Sequence, residues 1–351
     1  MQNSSSQNTS NWSGAGSKSY IFIMIPVIYI IVFVIGILGN IVVVIVIYFY
    51  MSLKTVASIF LFNLALADIF FLITLPLWAT STAMHYKWPF GNALCKISAG
   101  ITTLNLYASI FFLTCLSIDR YMAIVHPMAS RQKRTLLFAR IICFIVWVLA
   151  ALISTPAIFM RKIVFLETTS ITACAYSHPE IKFLIGMGLT KNIVGFLIPF
   201  LIILICYCLI VKTILEAYYI QQSKPRNDEV FKMIVAVVAA FFLCWIPHQV
   251  LTFLYVLSYA GVIHDYNIME NLEMAMPFSI CIAYINSCLN PILYGYVGRN
   301  FRRHVTQLLK RVPSGSGHRP SLSTKMNSIS LHTSETLIPP SKKTANACDL
   351  R

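Results

Sequence analysis

Three charged features interrupt the long apolar stretches of this sequence: Asp68 in NLALAD, Lys191 in LTKN, and the pair Asp119-Arg120 in CLSIDRYMAIVHP. An ionisable side chain is costly inside a lipid bilayer and is retained there mainly for function. Asp68 is the only acid far from the ends of an apolar stretch, and it requires a partner, a bound cation or a proton. We therefore interpret Asp68 as the centre of a functional polar site.

Four asparagines lie at a depth comparable to that of Asp68 in other apolar stretches. One interpretation is a shared polar cluster that holds a sodium ion and rearranges between states. The alternative is ordinary hydrogen bonding between helices, worth about 1 kcal/mol or less per bond. Apart from this sodium ion, no cofactor is expected. The four asparagines are Asn40, Asn105, Asn286 and Asn290.

The two basic features also have competing interpretations. Lys191 is either an anion anchor inside a cavity or a lysine whose long side chain carries its ammonium group to the membrane interface. A lone Arg120 could likewise anchor the interface, but an anchor does not explain the acid beside it. The residues alone leave both questions open.

Seven apolar stretches, here called spans and numbered in chain order, must position these residues. The chain has 351 residues, of which 58% are hydrophobic and only 11% charged, whereas a soluble domain carries about 25% charged residues. Each span approaches or exceeds the roughly 20 residues that a helix needs to cross a bilayer. We predict an all-α, integral membrane, seven-transmembrane helix bundle over residues 20–296. The spans lie near 20–49, 56–82, 92–118, 138–160, 183–211, 231–259 and 269–296.

Charge placement predicts the orientation of the spans. With the N-terminus outside, the inner loops hold ten Lys and Arg residues, and the N-terminus with the outer loops holds five, as the positive-inside rule requires. Three glycosylation sequons, at Asn3, Asn8 and Asn11, agree with an extracellular N-terminus over 1–19. The net charge of +15 then faces anionic lipid at the inner leaflet, and no nucleic-acid partner is expected.

The cysteines sort by the same topology. Of the ten, only Cys95, at the outer start of the third span, and Cys174, in the second outer loop, reach the oxidising side of the membrane. Elimination therefore predicts a disulfide between them. No nucleophile–base arrangement, metal-ligand cluster or phosphate-binding glycine loop is visible in the sequence, so an enzyme is not expected.

Two segments follow the seventh span. Residues 297–311, with apolar residues on one helical face and Arg and Lys on the other, predict an amphipathic helix on the membrane surface. Residues 312–351 are rich in Ser, Thr, Pro and Lys and predict a disordered cytoplasmic tail with phosphoacceptor hydroxyls.

Four motifs stand in order on the second, third, sixth and seventh spans: NLALAD, SIDRY, CWIP and NPILY. Together with the cysteine pair they resemble the rhodopsin-like (class A) family of G-protein-coupled receptors over residues 20–310. The seventh span has no Lys that could hold retinal, and the outer half of the third has no Asp of the amine-binding kind. The resemblance implies a plasma-membrane receptor that couples to heterotrimeric G proteins, with receptor kinases and arrestin acting on the tail.

Longer stretches, among them AMHYKWPFGNALCK, LTKNIVGFLIPFLIIL and WIPHQVLTFL, resemble the angiotensin II receptor group, its type 1 members most of all. The resemblance implies a short peptide ligand with an N-terminal acid and arginine and a C-terminal phenylalanine carboxylate. It also implies signalling through the Gq class to phospholipase C and calcium. The ligand-binding residues carried over are Tyr29, Trp78, Tyr86, Trp88, Arg161, Lys191, Trp245, His248, Gln249, Tyr255, Glu273, Ile280 and Tyr284.

The resemblance further implies an activation switch in which Asp119 holds Arg120 at rest and releases it toward the G protein. Prolines beside aromatic residues, as at Pro247 and Pro291, suit helices that bend, although kinked helices also occur in rigid channels. The switch residues carried over are Asp68, Asn105, Asp119, Arg120, Tyr121, Tyr207, Trp245, Pro247, Asn286, Asn290, Pro291 and Tyr294.

The sequence departs from the type 1 pattern at several positions. Tyr255 stands where that pattern has an acid, Glu273 replaces an aspartate, and Ser287 replaces one of two adjacent asparagines. A second outer disulfide has no cysteines to form it. The alternatives are therefore a receptor for a bradykinin-, apelin- or chemokine-like peptide, or a weakly binding decoy. A transporter or channel is the alternative of a different class, and it would predict internal repeats, which the sequence lacks.

Overall fold

The computed structural model of the protein describes residues 20–51, 53–128, 135–167, 170–177, 180–221, 229–297 and 299–311. The predictions for 1–19, including Asn3, Asn8 and Asn11, and for 312–351 lie outside these residues. Among the described residues, seven helices are long and apolar enough to cross a membrane, which confirms the predicted all-α bundle. The spans run over Ile21–Tyr50, Val56–Ala83, Gly91–Val125, Leu136–Met160, Ile181–Glu216, Ile234–Tyr259 and Tyr266–Gly295.

All seven spans contribute to one buried apolar core, a second buried cluster lies among the first, second and seventh spans, and the spans also expose apolar side chains outward. Phe112 of the third span and Phe241 of the sixth are fully buried in that core. Ile23, Phe144 and Ile205 are instead largely exposed on the outer faces of the first, fourth and fifth spans. Such a surface would be unfavourable in water, and it matches the lipid environment that the apolar composition predicts.

Three spans depart from a regular α-helix. The second is two helices, Val56–Leu72 and Leu75–Ala83, with a proline in the first turn of the second one. The first ends in a π-helical segment, Val46–Met51. The fifth consists of Ile181–Asn192, a π-helical segment over Ile193–Leu197, and Ile198–Gln221. Pro199 lies two residues after that segment and cannot donate a helical hydrogen bond. The segment begins two residues after Lys191.

The sixth and seventh spans retain their prolines inside continuous helices. These helices run over Glu229–Tyr259, which includes Pro247, and Tyr266–Val297, which includes Pro291. A further helix, Arg299–Arg311, follows, and Phe301 in it is buried against Tyr294 with ring centroids 6.1 Å apart. That this helix lies on a membrane surface stays a prediction.

The third span is longer than predicted. Its helix runs over Gly91–Val125, not 92–118, so Asp119 and Arg120 lie within the helix instead of following it. The two side chains offset each other's charge through hydrogen bonds, and no helix breaker occurs before Pro127. The predicted end at 118 was wrong because the charged pair marks the end of the apolar run and not the end of the helix.

A β-hairpin, which the sequence analysis did not predict, follows the fourth span. Its antiparallel strands Arg161–Leu166 and Ile171–Tyr176 place Arg161 opposite Tyr176. The predicted disulfide Cys95–Cys174 is confirmed and ties the second strand to the third span. We call the end of the bundle that carries this hairpin the hairpin end, and the other the Arg120 end.

Candidate functional site

A cavity of about 360 Å³ opens at the hairpin end of the bundle. Aromatic rings supply much of its wall, two cations lie on it, and Ser and Thr hydroxyls line the side formed by the second and third spans. No aspartate or glutamate occurs among its described lining residues. Its most prominent members are Tyr29, Trp78, Tyr86, Thr102, Thr103, Arg161, Tyr176, Lys191, Trp245, His248, Ile280 and Tyr284.

The hairpin orients Arg161 toward the cavity. Arg161 is the first residue of the first strand, and its Nη1 donates a hydrogen bond to the carbonyl oxygen of Cys174, at 3.1 Å. Its guanidinium carbon lies 4.5 Å from the ring centroid of Tyr176 and 5.9 Å from that of Trp78. A guanidinium plane on aromatic faces is weakly hydrated and retains its N–H donors for an anion. Arg161 therefore offers the cavity a positioned cation that can bind a carboxylate.

Lys191 supplies the second cation, one residue before the end of the helix Ile181–Asn192. Its effect reaches Tyr176, which lies on the hairpin. Burial would raise the pKa of the Tyr176 phenol, but the charges of Lys191 and Arg161 and a hydrogen bond with Arg161 lower it below its ordinary value. A lowered phenol pKa reports a positive local potential. The cavity is therefore suited to hold a carboxylate.

Trp245 and His248 line the cavity from the sixth span, on either side of Pro247. Their ring centroids are 5.9 Å apart, and the Trp245 ring lies 5.8 Å from that of Phe241, deeper in the core. The His248 Nδ1 is 3.4 Å from the Ser279 Oγ of the seventh span. A displaced Trp245 would therefore press on the core next to the proline.

A second chamber of about 370 Å³ adjoins the cavity, and we call it the side chamber. It shares Tyr176, Lys191 and His248 with the cavity. The rest of its wall is largely apolar, with Tyr255 of the sixth span as its principal polar group. Its unshared members are Leu184, Met187, Gly188, Thr252, Tyr255, Val256, Tyr259 and Met276.

Nine of the thirteen residues predicted to bind ligand line the cavity, and four do not. Trp88 is buried behind Trp78, 5.1 Å between ring centroids, and its Nε1 donates to the carbonyl oxygen of Gly91. Gln249 is buried, and among the described residues neither of its amide atoms has a hydrogen-bond partner. Tyr255 lines the side chamber, and Glu273 is exposed.

Some cavity residues were missed in the sequence analysis although a signal was present. Tyr176 lies two positions after Cys174, hence on the same face of a strand. Thr102 lies seven positions after Cys95, hence on the same face of a helix. With the disulfide already predicted, both residues could have been assigned to the same region of the bundle.

Asp68 is fully buried and accepts three hydrogen bonds. Its Oδ1 accepts from the Asn105 Nδ2 at 3.1 Å and from the Ser287 Oγ at 2.8 Å, and its Oδ2 accepts from the Asn290 Nδ2 at 2.8 Å. The Asn40 Nδ2 instead donates to two carbonyl oxygens, one of them that of Ser287. Of the four predicted asparagines, Asn105 and Asn290 therefore donate to Asp68 among the described residues, and Ser287 is a third donor that was not predicted.

The donor set of this cluster fits a small hard cation. Besides the carboxylate and the Ser287 hydroxyl, the buried amide oxygens of Asn40, Asn286 and Asn290 have no hydrogen-bond partner among the described residues. Carboxylate, hydroxyl and amide oxygens are the ligands that hard cations take. The residues present are therefore compatible with the predicted sodium ion.

The charged pair lies at the Arg120 end. The Nε of Arg120 donates to the Asp119 Oδ2 at 3.0 Å, and its Nη2 forms a salt bridge with the same oxygen. Asp119 is buried in the bundle. The hydroxyl of Tyr121 lies 3.0 Å from the Nε2 of His126, and Tyr207 of the fifth span lies close to Ser117 and Arg120.

Comparison with known proteins gives a single family. The family described as 7 transmembrane receptor (rhodopsin family) matches residues 39–294. The chain is 57% identical over 333 residues to the Type-1 angiotensin II receptor of Homo sapiens, covering 94% of this chain and 93% of that protein. It is 56% identical over 338 residues to the Type-1 angiotensin II receptor A of Mus musculus, covering 96% and 94%. The chain therefore belongs to the rhodopsin family of seven-transmembrane receptors.

Proposed function

We propose that this multi-pass membrane protein is a receptor for angiotensin II or a closely similar short peptide. It is not an enzyme. The observation that carries the proposal is the cavity, in which Arg161 and Lys191 face aromatic walls and no described lining residue is acidic. A peptide that ends in a phenylalanine carboxylate supplies an anion for the two cations and a ring for the walls. The identity with proteins named Type-1 angiotensin II receptor supports this ligand class.

The rim of the site serves the rest of the peptide. Tyr255 lines the side chamber and lies toward the end of the sixth span that is nearest the hairpin. Glu273 is exposed and lies toward the corresponding end of the seventh span. A carboxylate there attracts the arginine of the peptide during approach, whereas Tyr255 offers a hydroxyl and a ring in place of a charge. Trp88 and Gln249 act from behind the wall instead of touching the ligand.

Binding reaches the Arg120 end through the sixth span. A ligand shifts a two-state equilibrium only by its differential affinity for the two states. Contact with Trp245 next to Pro247 favours the state in which the sixth span bends outward. Release of Arg120 from Asp119 then opens a surface for a heterotrimeric G protein of the Gq class, which activates phospholipase C and raises calcium.

The N-terminus is extracellular and the tail cytoplasmic in the plasma membrane. The excess of Lys and Arg in the loops at the Arg120 end and the sequons at Asn3, Asn8 and Asn11 support this orientation. The helix Arg299–Arg311 then meets inner-leaflet lipid, and the tail is the substrate of receptor kinases and the binding site of arrestin.

Sodium has a role in the resting state. When bound, the ion supplies a positive charge that offsets the buried carboxylate. Asp68, Ser287 and Asn290 would hold it, with Asn105 orienting the carboxylate through its hydrogen bond. Because these residues come from the second, third and seventh spans, bending of the seventh span at Pro291 would separate them.

The test is calcium release in transfected cells exposed to the angiotensin II octapeptide. We expect a response in the wild type and a half-maximal concentration at least about thirtyfold higher for Lys191→Ala, the effect of removing one partner of a desolvated charge pair. Lys182→Ala, an exposed lysine of the same helix, is the matched control. At verified surface expression, a wild type that neither responds to labelled angiotensin II nor binds it would refute the ligand.

A receptor for another short peptide of the same subfamily is the second candidate, favoured by Tyr255 at a position where the type 1 pattern has an acid. Bradykinin-, apelin- and chemokine-like peptides belong in the same calcium assay. A response to one of these alone would transfer the assignment to it, and binding without any response would indicate a decoy.

A further inference from the structure

The turn after the second span holds a backbone conformation that its residues seldom adopt. His85 and Tyr86 have φ angles of 55° and 67°, in the left-handed region that is uncommon for residues other than glycine. Two such residues in succession persist only where the surroundings hold them. The Tyr86 N–H donates to the Ser81 carbonyl oxygen at 2.8 Å, and the Lys87 N–H to that of Met84 at 3.1 Å.

This turn presents Tyr86 to the ligand cavity. The Tyr86 side chain lines the cavity together with Tyr29 and Trp78. Burial raises the pKa of its phenol above the ordinary value, as expected for a ring that is partly withdrawn from water. Left-handed φ angles are unfavourable for residues with a side chain, so the conformation that directs Tyr86 into the cavity depends on what surrounds the turn.

Phe22, at the start of the first span, is packed against the turn. Its ring centroid lies 4.3 Å from that of His85 and 5.6 Å, edge-on, from that of Tyr86. Neither Phe22 nor His85 lines the cavity. Phe22 therefore contacts both rings of the turn, and of these three rings only that of Tyr86 lines the cavity.

We propose that Phe22 and His85 are positioning residues that hold Tyr86 at the mouth of the cavity and thereby control how slowly a peptide ligand leaves. The ligand in the test rests on the proposed function, but the geometry does not. The contacts of Phe22 with the two rings hold a strained turn. Losing these contacts frees the turn to relax and opens the mouth of the cavity on the side of the first span.

The first experiment measures dissociation of labelled angiotensin II from membranes. Phe22→Ala and His85→Ala are expected to speed dissociation roughly three- to tenfold, the effect of one aromatic pair. Phe22→Tyr and His85→Phe retain a ring and should dissociate as the wild type does. Ile23→Ala, the adjacent residue, 68% exposed on the outer face, is the matched control.

A double variant separates positioning from a merely structural role. If Phe22 acts through Tyr86, Phe22→Ala adds nothing to the faster dissociation of Tyr86→Ala, because the ring it positions is already gone. Additive losses, or an alanine variant at 22 that dissociates like the wild type, would overturn the proposal.

A second measurement needs no ligand. In Tyr86→Cys, the rate of modification by a charged methanethiosulfonate reagent reports how far the turn opens. We expect a severalfold faster reaction with Phe22→Ala than with Ile23→Ala, each compared with its parent that lacks the added cysteine. Equal rates would show that Phe22 does not hold the turn, even if the peptide binds. If the wild type does not bind angiotensin II, the proposed function is refuted. The cysteine-modification rates then decide by themselves whether Phe22 holds the turn.

Discussion

At the scale of single residues, the charges inside the spans differ in how they are compensated. Asp68 is matched by three hydrogen-bond donors and Arg120 by Asp119. Lys191 has no acid within salt-bridge distance in the part of the chain that the structure describes. A cation that faces a cavity without a protein anion is available to a ligand, which favours an anion anchor over a lysine that serves only the membrane interface.

A prediction at the scale of single residues concerns the Asp119–Arg120 pair and basal signalling. Asp119→Ala removes the acceptor of two guanidinium donors, and a charge-assisted hydrogen bond contributes about 1.5–3 kcal/mol. We expect basal inositol phosphate production to rise at equal surface expression, because Arg120 is no longer held in the resting arrangement. Asp119→Glu retains a carboxylate and should show a smaller rise. Basal production equal to the wild type in Asp119→Ala would return Arg120 to the role of an interface anchor.

At the scale of elements, close helix contacts depend on residues without a side chain. A Cβ added at Gly39 would lie 2.8 Å from the Cβ of Pro291, and one added at Gly36 would lie 2.8 Å from Leu72. The first span therefore approaches the seventh at the proline where the latter is expected to bend. The Asn40 Nδ2 reinforces this contact through the carbonyl oxygen of Ser287.

Gly39→Ala tests that contact. Overpacking of a close-packed helix interface costs about 1–3 kcal/mol, so we expect a lower midpoint of thermal unfolding in detergent. Gly186→Ala, in the fifth span, has nothing within 4 Å of the added Cβ and gains about 0.5–1 kcal/mol from helix propensity. The control should therefore unfold at the wild-type midpoint or above it. A midpoint of Gly39→Ala equal to that of the control would show that the first span shifts to accept the methyl group without loss of stability.

At the scale of the whole molecule, the cavity and the Arg120 end are joined by the core and by the Asp68 cluster. Trp245 connects the cavity to Phe241, and Asp68 connects the second, third and seventh spans. A device that couples two ends must have two arrangements. The buried amide oxygens that have no partner in the part of the chain that the structure describes are consistent with a cluster that is rebuilt when the spans move.

A prediction at the scale of the whole molecule concerns the effect of sodium on ligand affinity. If the ion favours the resting state, replacing choline chloride with sodium chloride at constant ionic strength should lower the affinity for labelled angiotensin II at least about fivefold, the lower range of allosteric couplings. Asp68→Asn should bind equally in both salts. Binding of the wild type that does not depend on the cation would remove sodium from the mechanism.

Much of this architecture follows from the sequence alone. Lipid requires every span to satisfy its own backbone hydrogen bonds, so apolar length determined the seven helices. Topology determined the disulfide, because only Cys95 and Cys174 were left on the oxidising side. The resemblance of whole motifs identified nine of the residues that line the cavity.

Only the tertiary structure decided how these parts meet. The register of the hairpin stacks Arg161 on Tyr176, and the third span continues past Asp119 because the adjacent Arg120 offsets its charge. Ser287 donates to Asp68 from more than two hundred positions away, and Phe22 of the first span packs against His85 in the turn after the second span. Local composition carries no record of contacts between residues distant in sequence, since the packing of the whole bundle creates them.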